Sequence, residues 1–363
     1  MSVPVIELSG SARDRGLQHG REAGDFVVRS IEIYRKAFLS KGVTWEQARV
    51  VAGKLLPEIE AYNAEFADEI RGIAEGAEVP LEDIVALNAR TELLYGQRPQ
   101  ADRGPDDDGD GCTGAIALPE ATADGIVIHG QNWDWRDECA DSGILLRIRS
   151  DDGPDILCFT EGGLLARFGF NSAGMALTAN FLQTERDYGR KGVPISLIRR
   201  QILMSRNFAE AIKVAYSTPR AFSANLMLSD AGGAAIDLET TPDEIFWIAP
   251  ENGLLVHANH FVSLPARTKN FDMSVPTTPD SLYRDVRVRD SLTAKHGKIT
   301  IEDFKEAFAD RYGSPRAVCR SPVEGPGGKI SSTVVTIIMS ASEKRLWIAR
   351  RPYKEAVYEE HAL

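Results

Sequence analysis

The sequence has few cysteines, no long apolar stretch and no excess of positive charge. The four cysteines, Cys112, Cys139, Cys158 and Cys319, form no CxxC pair, which argues against a disulfide framework or a zinc site. No apolar run reaches the roughly 20 residues that a membrane-spanning helix needs. A formal net charge of -11 disfavours nonspecific binding to nucleic acid or anionic lipid. Small molecules or proteins are therefore the expected partners.

The chain ends also lack recognisable address signals. Residues 1–7 carry neither the basic segment nor the apolar stretch of a secretory signal, and residues 361–363 do not match the Ser-Lys-Leu peroxisomal address. We expect a soluble, cytoplasmic protein that contacts neither a membrane nor nucleic acid. With 363 residues, 43% of them hydrophobic, the chain is long enough to bury a substantial core.

The first third of the chain has the pattern of helices. Val27, Ile31 and Tyr34 recur at helix spacing, and Thr44 with Gln47 matches a capping box. A further helix is predicted to begin near Pro80. Residues 97–111 then form an acidic stretch rich in glycine and proline, which indicates an exposed loop.

Beyond residue 111 the period shortens toward two, which is typical of β-strands. Strands are predicted at 113–118, 126–133, 145–148, 164–170, 175–180, 224–228, 234–238, 254–256, 333–339 and 345–349. Helices are predicted at 194–205, 208–215, 280–292 and 301–308. Many of the strand pairs are expected to be antiparallel hairpins.

Cys112 stands where the acidic loop gives way to a predicted strand, so a rigid sheet would hold its side chain beside an accessible main chain. That position suits a nucleophile. From position alone, a half-buried cysteine without chemistry is the more frequent outcome. Cys158 lies inside the apolar run 156–159 and is expected to be a buried, inert thiol.

The segments around Cys112 resemble a known family. Asp110-Gly111-Cys112-Thr113, the run 129–134 (His-Gly-Gln-Asn-Trp-Asp) and the run 256–260 (Val-His-Ala-Asn-His) are similar to motifs of the acyl-coenzyme A:isopenicillin N acyltransferase family, which belongs to the N-terminal nucleophile hydrolases. Other similar motifs, in chain order, are 7–11, 15–20, 69–77, 87–92, 160–163 and 169–174. Each motif alone is weak, but their order covers nearly the whole chain.

The resemblance implies an α+β fold, the four-layer αββα sandwich, and a precursor that cuts itself between Gly111 and Cys112. Residues 1–111 would form a mostly helical α chain, wrapped as a layer on a catalytic β chain, 112–363. Physically, the Cys112 thiol would attack the Gly111 carbonyl, and hydrolysis of the resulting thioester would free an α-amine. An α-amine has a pKa of about 7.7 to 8.0, so it can take the thiol proton near neutral pH.

Three further residues are carried over from the resemblance. Asp134, 22 residues after Cys112, would hold the α-amine; the alternative is a hairpin-end aspartate that binds backbone amides. Asn259 would donate its side-chain amide to the oxyanion, or it is only a turn asparagine. Arg320 would orient Asp134 or a substrate carboxylate, or it forms a surface ion pair.

The match to the penicillin-forming enzyme fails at 325–333, because Ile330 stands where that enzyme's serine-arginine pair carries its arginine. This puts a β-lactam substrate in doubt but leaves the cysteine chemistry untouched. The spacing of Asp106, Asp108 and Asp110 imitates a calcium loop, yet Ala117 occupies the position that needs a glutamate. His257 and His260 lie next to a predicted strand, which disfavours a zinc pair.

The predicted function is hydrolysis of a small N-acyl amide through a Cys112 acyl-enzyme, with no cofactor. One alternative is acyl transfer onto an amine from a coenzyme A thioester as co-substrate. Another, from a different class, is an uncleaved binding protein of the same fold. The partners expected are a small-molecule amide and the α and β chains of one precursor; the sequence predicts no oligomeric state.

Overall fold

The structure is a computed structural model that describes residues 2–96, 111–325 and 328–363. Residues 97–110 of the predicted acidic loop, which include the calcium-like spacing of Asp106, Asp108 and Asp110, lie outside the described residues. The last residue of that predicted loop, Gly111, is instead the first residue of a strand. The helices within these ranges are all too short or too polar to span a lipid bilayer.

The N-terminal part is helical, as its pattern predicts. Its helices are α1 (Ala12–Glu22), α2 (Gly24–Ser40), α3 (Trp45–Tyr62), α4 (Ala64–Gly76), α5 (Leu81–Asn88) and α6 (Arg90–Tyr95). The predicted capping box is confirmed, because Thr44 and Gln47 cap the first turn of α3 reciprocally. Pro80 directly precedes α5.

One sheet, sheet A, has eight strands within the described residues. In spatial order they are β1 (Val5–Leu8), β4 (Gly143–Ile148), β5 (Ile156–Glu161), β6 (Phe168–Asn171), β7 (Met175–Phe181), β8 (Ala224–Asp230), β9 (Ala234–Thr240) and β10 (Ile245–Ile248). Only the pairing of β1 with β4 is parallel among these.

The other sheet, sheet B, is antiparallel in the described part of the chain. Its spatial order is β11 (Leu254–His257), β2 (Gly111–Ala117), β3 (Ile128–Arg136), β13 (Ile330–Ser340), β14 (Arg345–Arg350) and β15 (Glu359–Ala362), and β12 (Val323–Glu324) pairs with β13. The remaining helices are α7 (Ile195–Leu203), α8 (Phe208–Ser217), α9 (Leu264–Lys269), α10 (Ser281–Thr293) and α11 (Ile301–Phe308).

Alternation along the strands assigns each face to a layer. Ile144, Leu146 and Ile148 of β4 pack with α7 and α8, whereas Leu145 joins the cluster between the sheets. On sheet B, residues such as Ala115 pack with α10 and α11. The order is therefore helices, sheet A, sheet B, helices, which confirms the predicted αββα sandwich.

Two details differ from the expectation. β1 belongs to the N-terminal part but forms the edge strand of sheet A, and helices α2–α6 share the cluster between the sheets with Trp133 and Phe159. The first third is therefore more than a layer wrapped on the sandwich. The predicted strand 164–170 was wrong in its first half: strands form at β5 and β6, and a turn separates them, since Gly163 has a φ of +92°.

Candidate active site

Cys112 lies near the start of β2, a strand held on both sides by β11 and β3. The register pairs Gly111 with Asp134 and Cys112 with Trp133. Because neighbours directly across a sheet share a face, the Cys112 side chain points between the sheets and Asp134 points toward α10. Asp134 therefore lies beside the main chain at Gly111, on the opposite face from the thiol.

Asn259 contacts the peptide bond that precedes Cys112. The backbone N–H of Cys112 donates to Asn259 Oδ1 at 2.6 Å, and Asn259 Nδ2 donates to the carbonyl of Phe181 at 2.9 Å. A donor on one side and an acceptor on the other fix the orientation of the amide. Asn259 is fully buried just after β11, so it is more than a surface turn residue.

Asp134 is buried and bound by side chains rather than by backbone amides, which removes the alternative of an amide-binding hairpin end. Thr333 Oγ1 donates to its Oδ1 at 2.6 Å, and Arg320 Nε lies 3.5 Å from its Oδ2. A register shift in β13 between Thr333 and Val335 accompanies this contact. Burial raises the pKa of Asp134, while Arg320 and Arg284 oppose that rise.

Gly111 has no room for a side chain. A Cβ at this position would lie 2.9 Å from Asp134 Cβ and 3.1 Å from Arg320 Nη2. Glycine therefore lets the carboxylate and the guanidinium approach the main chain directly before Cys112.

Arg320 is only 1% exposed, so the alternative of a surface ion pair is wrong. Its Nη2 donates to Asp280 Oδ2 at 3.0 Å and its Nη1 to Ser331 Oγ at 3.3 Å. Ile330, by contrast, is 51% exposed at the first position of β13. The arginine predicted from the resemblance thus lies in the same buried cluster as Asp134.

Sequence reasoning missed Asp280 and Arg284, which complete this cluster. Arg284 Nε donates to Asp280 Oδ2 at 3.0 Å, and Arg284 Nη2 donates to Asn259 Oδ1 at 2.9 Å. Their only signal in the sequence is a spacing of four residues at the start of a predicted helix. That spacing usually marks an exposed ion pair.

The motif 129–134 divides its side chains between the two faces of β3. His129 and Gln131 point inward and bind sheet A, at Thr178 and Ala179 for example. Asn132 points outward, and its Nδ2 donates to the carbonyls of Phe308 and Val318 at 2.8 Å. Asn132 thereby fixes the segment that leads to Arg320.

The other cysteines are unsuited to nucleophilic attack. Burial raises the pKa of Cys158 to about 12 and that of Cys319 to about 11, and it raises the pKa of Cys139 well above its usual value. Cys158 is fully buried in β5, as expected. His257 binds Glu239 at 3.0 Å, and no cluster suited to a metal ion occurs within the described ranges.

Two facing sheets between helical layers, with Cys112 near the start of a central strand of sheet B, form the αββα sandwich that the resemblance predicted. Residues 121–351 match the family described as acyl-coenzyme A:6-aminopenicillanic acid acyl-transferase. A relative from Emericella nidulans, the acyl-coenzyme A:6-aminopenicillanic-acid-acyltransferase 40 kDa form, is 30% identical over 328 residues, 88% of this chain and 85% of that protein. The chain belongs to this acyltransferase family.

Other similarities are more distant. An uncharacterised protein from Archaeoglobus fulgidus is 22% identical over 83% of this chain and 57% of its own length. A mutant conjugated bile acid hydrolase from Clostridium perfringens matches with a TM-score of 0.48 and 14% identity, over 69% of this chain and 92% of that chain. Penicillin V acylase from Agrobacterium tumefaciens matches with a TM-score of 0.46 and 13% identity, over 69% of this chain and 86% of that chain.

Proposed function

We propose that this protein is a self-cleaving N-terminal cysteine amidohydrolase, which acts on a small N-acyl amide through a Cys112 acyl-enzyme. The observation that carries the proposal is the set of contacts around the bond between Gly111 and Cys112. Asn259 accepts from the nitrogen of that bond at 2.6 Å, and Asp134 with Arg320 encloses Gly111. No cofactor is part of the proposal.

The first step converts the precursor. The Cys112 thiol attacks the Gly111 carbonyl, a C–S bond forms, the C–N bond breaks, and the departing α-nitrogen takes up a proton. Water then hydrolyses the thioester, which leaves a Gly111 carboxylate and restores the thiol. The 2% exposure of Cys112 in the uncut chain supports an inactive precursor.

The second step acts on substrate. The free α-amine accepts the thiol proton as sulfur attacks the acyl carbon, and the resulting α-ammonium returns a proton to the leaving amine. Water, activated by the same amine, resolves the acyl-enzyme. Asp134 holds the α-amine from the helical side of sheet B.

Asn259 serves as oxyanion donor in this proposal. Its Nδ2 donates to the Phe181 carbonyl in the uncut chain, and an amide nitrogen carries two hydrogens. The second hydrogen is assigned to the tetrahedral oxygen. Arg320 holds Asp134 in place from within the buried cluster.

A specific observation favours a second candidate, acyl transfer from a coenzyme A thioester onto an amine. The relative from Emericella nidulans, 30% identical, is named for that reaction. An added amine discriminates the two: a transferase diverts the acyl group from a thioester donor to the amine, whereas a hydrolase releases free acid in its presence.

Denaturing mass analysis of the purified protein tests the cut. Two fragments divided between Gly111 and Cys112 are expected from the parent, and one intact chain from Cys112→Ala. Cys158→Ala is the matched control, because Cys158 is equally buried but lies in sheet A; it should be cut like the parent.

Activity is followed with aminomethylcoumarin amides of short, medium and long acyl chains. An uncut parent whose amidase activity survives Cys112→Ala would overturn the proposal. An uncut parent that binds acyl amides without turnover would instead indicate the binding protein of the same fold.

A further inference from the structure

Arg284 on α10 is completely buried beside the strand that carries the nucleophile. Its Nη1 donates to the carbonyl oxygen of Cys112 at 2.5 Å and to Thr113 Oγ1 at 2.8 Å. Its Nη2 donates to Asn259 Oδ1 at 2.9 Å, and its Nε donates to Asp280 Oδ2 at 3.0 Å. One guanidinium therefore joins the main chain of Cys112, the side chain of Asn259 and a carboxylate.

The planar geometry of arginine makes this joint rigid. Its five N–H donors lie in one plane with fixed directions, unlike the mobile ammonium of lysine. The amide oxygen of Asn259 accepts from both Arg284 and the nitrogen of Cys112. A shift of the guanidinium would consequently move the Asn259 amide and the Cys112 carbonyl together.

We propose that Arg284 is a positioning residue, which fixes the main chain of Cys112 and the amide of Asn259 in one arrangement around the bond that is cut. The inference rests on the proposed function, since it assigns Arg284 to the same chemistry. Arg284 acts through Cys112 and Asn259 and is not assigned a contact with substrate.

Arg284 also places a positive charge beside the future α-amine. Arg284 Nη2 and the backbone nitrogen of Cys112, which would become that amine, donate to the same atom, Asn259 Oδ1. A cation at this distance disfavours protonation of the amine and so lowers its pKa. The other charged or titratable groups that face this region from the surrounding elements are Asp134, Arg320, Asp280, Arg316, Asp285, His260 and Cys319. Without Arg284, the carboxylates among them would raise the pKa of the amine.

Two substitutions separate geometry from charge. Arg284→Lys keeps the charge but loses the planar set of donors, so we expect cleavage between Gly111 and Cys112 to slow by about 10²-fold. Arg284→Met loses both the positive charge and the planar set of donors. In that variant the acidic limb of the kcat/KM profile should also move to higher pH, by on the order of one pH unit. The reason is that the α-amine, which acts as the base, would keep its proton up to a higher pH.

Arg200→Lys is the matched control. Arg200 is 1% exposed, binds a carboxylate and a backbone carbonyl, and lies on α7 on the outer side of sheet A. This variant should cleave at the parental rate and keep the parental pH profile, although its thermal stability falls.

Cleavage is timed by denaturing mass analysis during cell-free translation, folding is checked by cooperative thermal unfolding, and pH profiles of matured enzyme use the aminomethylcoumarin amides. Parental cleavage rates and pH profiles in folded Arg284→Lys and Arg284→Met would overturn the inference. If Arg284→Lys is cleaved slowly but the acidic limb of the pH profile does not move in Arg284→Met, the positioning role stands. Only the proposed effect of the Arg284 charge on the pKa of the α-amine would then be overturned.

A failure of Arg284→Met to fold leaves the decision to Arg284→Lys. If that variant also fails to fold, Thr113→Val decides, because it removes one acceptor of the guanidinium; a parental cleavage rate in it would overturn the inference. An uncut parent means instead that the proposed function has failed. The two failures are therefore distinguishable.

Discussion

Two of the buried arginine–carboxylate networks in the described part of the chain surround different groups. Near β2, Asp134, Arg320, Asp280 and Arg284 enclose a main-chain bond next to a cysteine. Between α1, α4 and α7, Glu69 binds Arg200 at 3.1 Å and Arg15 at 3.4 Å.

The arginines of the helical network bind main-chain carbonyls away from any cysteine. Arg15 donates to the Gly10 carbonyl at 2.7 Å, and Arg200 donates to the Leu165 carbonyl at 3.2 Å. Both networks are buried, so burial of charge does not itself identify a functional site. The groups that the charges enclose distinguish a site from a structural joint.

The largest expected difference comes from neutralising one carboxylate in each network. Asp134→Asn should lower the rate of cleavage or turnover by about 10²- to 10⁴-fold, because the α-amine loses its charged partner. Glu69→Gln should leave that rate unchanged and lower the free energy of unfolding by about 3 to 5 kcal/mol, since two buried arginines lose their counter-charge. Turnover assays measure the rate, and urea unfolding measures the free energy of unfolding. A large loss of rate in Glu69→Gln with an unchanged rate in Asp134→Asn would contradict the distinction between the two networks.

Two buried asparagines extend the same test. Asn259→Ala should cost about 10²- to 10³-fold in turnover through loss of the oxyanion donor. Asn171→Ala removes an amide that donates to the carbonyls of Leu203 and Ser205 at the end of α7, so it should reduce stability alone. Kinetic and melting measurements on both variants check the distinction, and equal turnover in the two would contradict it.

Glycine is required near both networks for different reasons. Gly72→Ala would press a methyl group against the Arg13 carbonyl, 2.5 Å away, and should cost about 1 to 3 kcal/mol of stability. In Gly111→Ala the added methyl group would instead contact Asp134, so cleavage should slow by about 10-fold or more. The loss of stability should be smaller than in Gly72→Ala. Thermal unfolding and a timed cleavage assay, both carried out on Gly72→Ala and Gly111→Ala, would distinguish the two effects.

The smallest expected effect concerns His257 and its dependence on pH. Burial alone lowers the pKa of His257, but Asp237 and Glu239 raise it to about 9 from an ordinary 6.5. The stability from the charged imidazole is therefore complete below pH 6.5 and lost as pH rises through about 9. Across that interval the free energy of unfolding should fall by on the order of 2 kcal/mol. Chemical unfolding at several pH values should show this slope in the parent, and a comparable slope in His257→Gln would contradict the assignment.

The sequence predicted the sandwich and most of the strands, because alternating or helical periodicity is a local property. It also predicted Cys112, Asp134, Asn259 and Arg320 through a resemblance, and the structure brings these four together. Their catalytic roles stay predictions, as does the division of the chain at residue 111.

The sequence could not predict what depends on distant contacts. Asp280 and Arg284 have the spacing of an exposed helical ion pair, yet α10 packs on sheet B and buries them. β1 was missed because four residues carry little periodicity; the strand forms because β4 offers a partner edge. The face occupied by Asp134 required the register of β2 on β3, which no single segment determines.

The shared core has a consequence for the two pieces that a cut would create. β1 is hydrogen-bonded into sheet A, and α2–α6 contribute to the cluster between the sheets. Separating residues 1–111 from the rest would expose that cluster to water, so the nicked halves would form an obligate heterodimer. Its β chain, expressed alone, would lack part of its own interior, and folding would have to precede cutting.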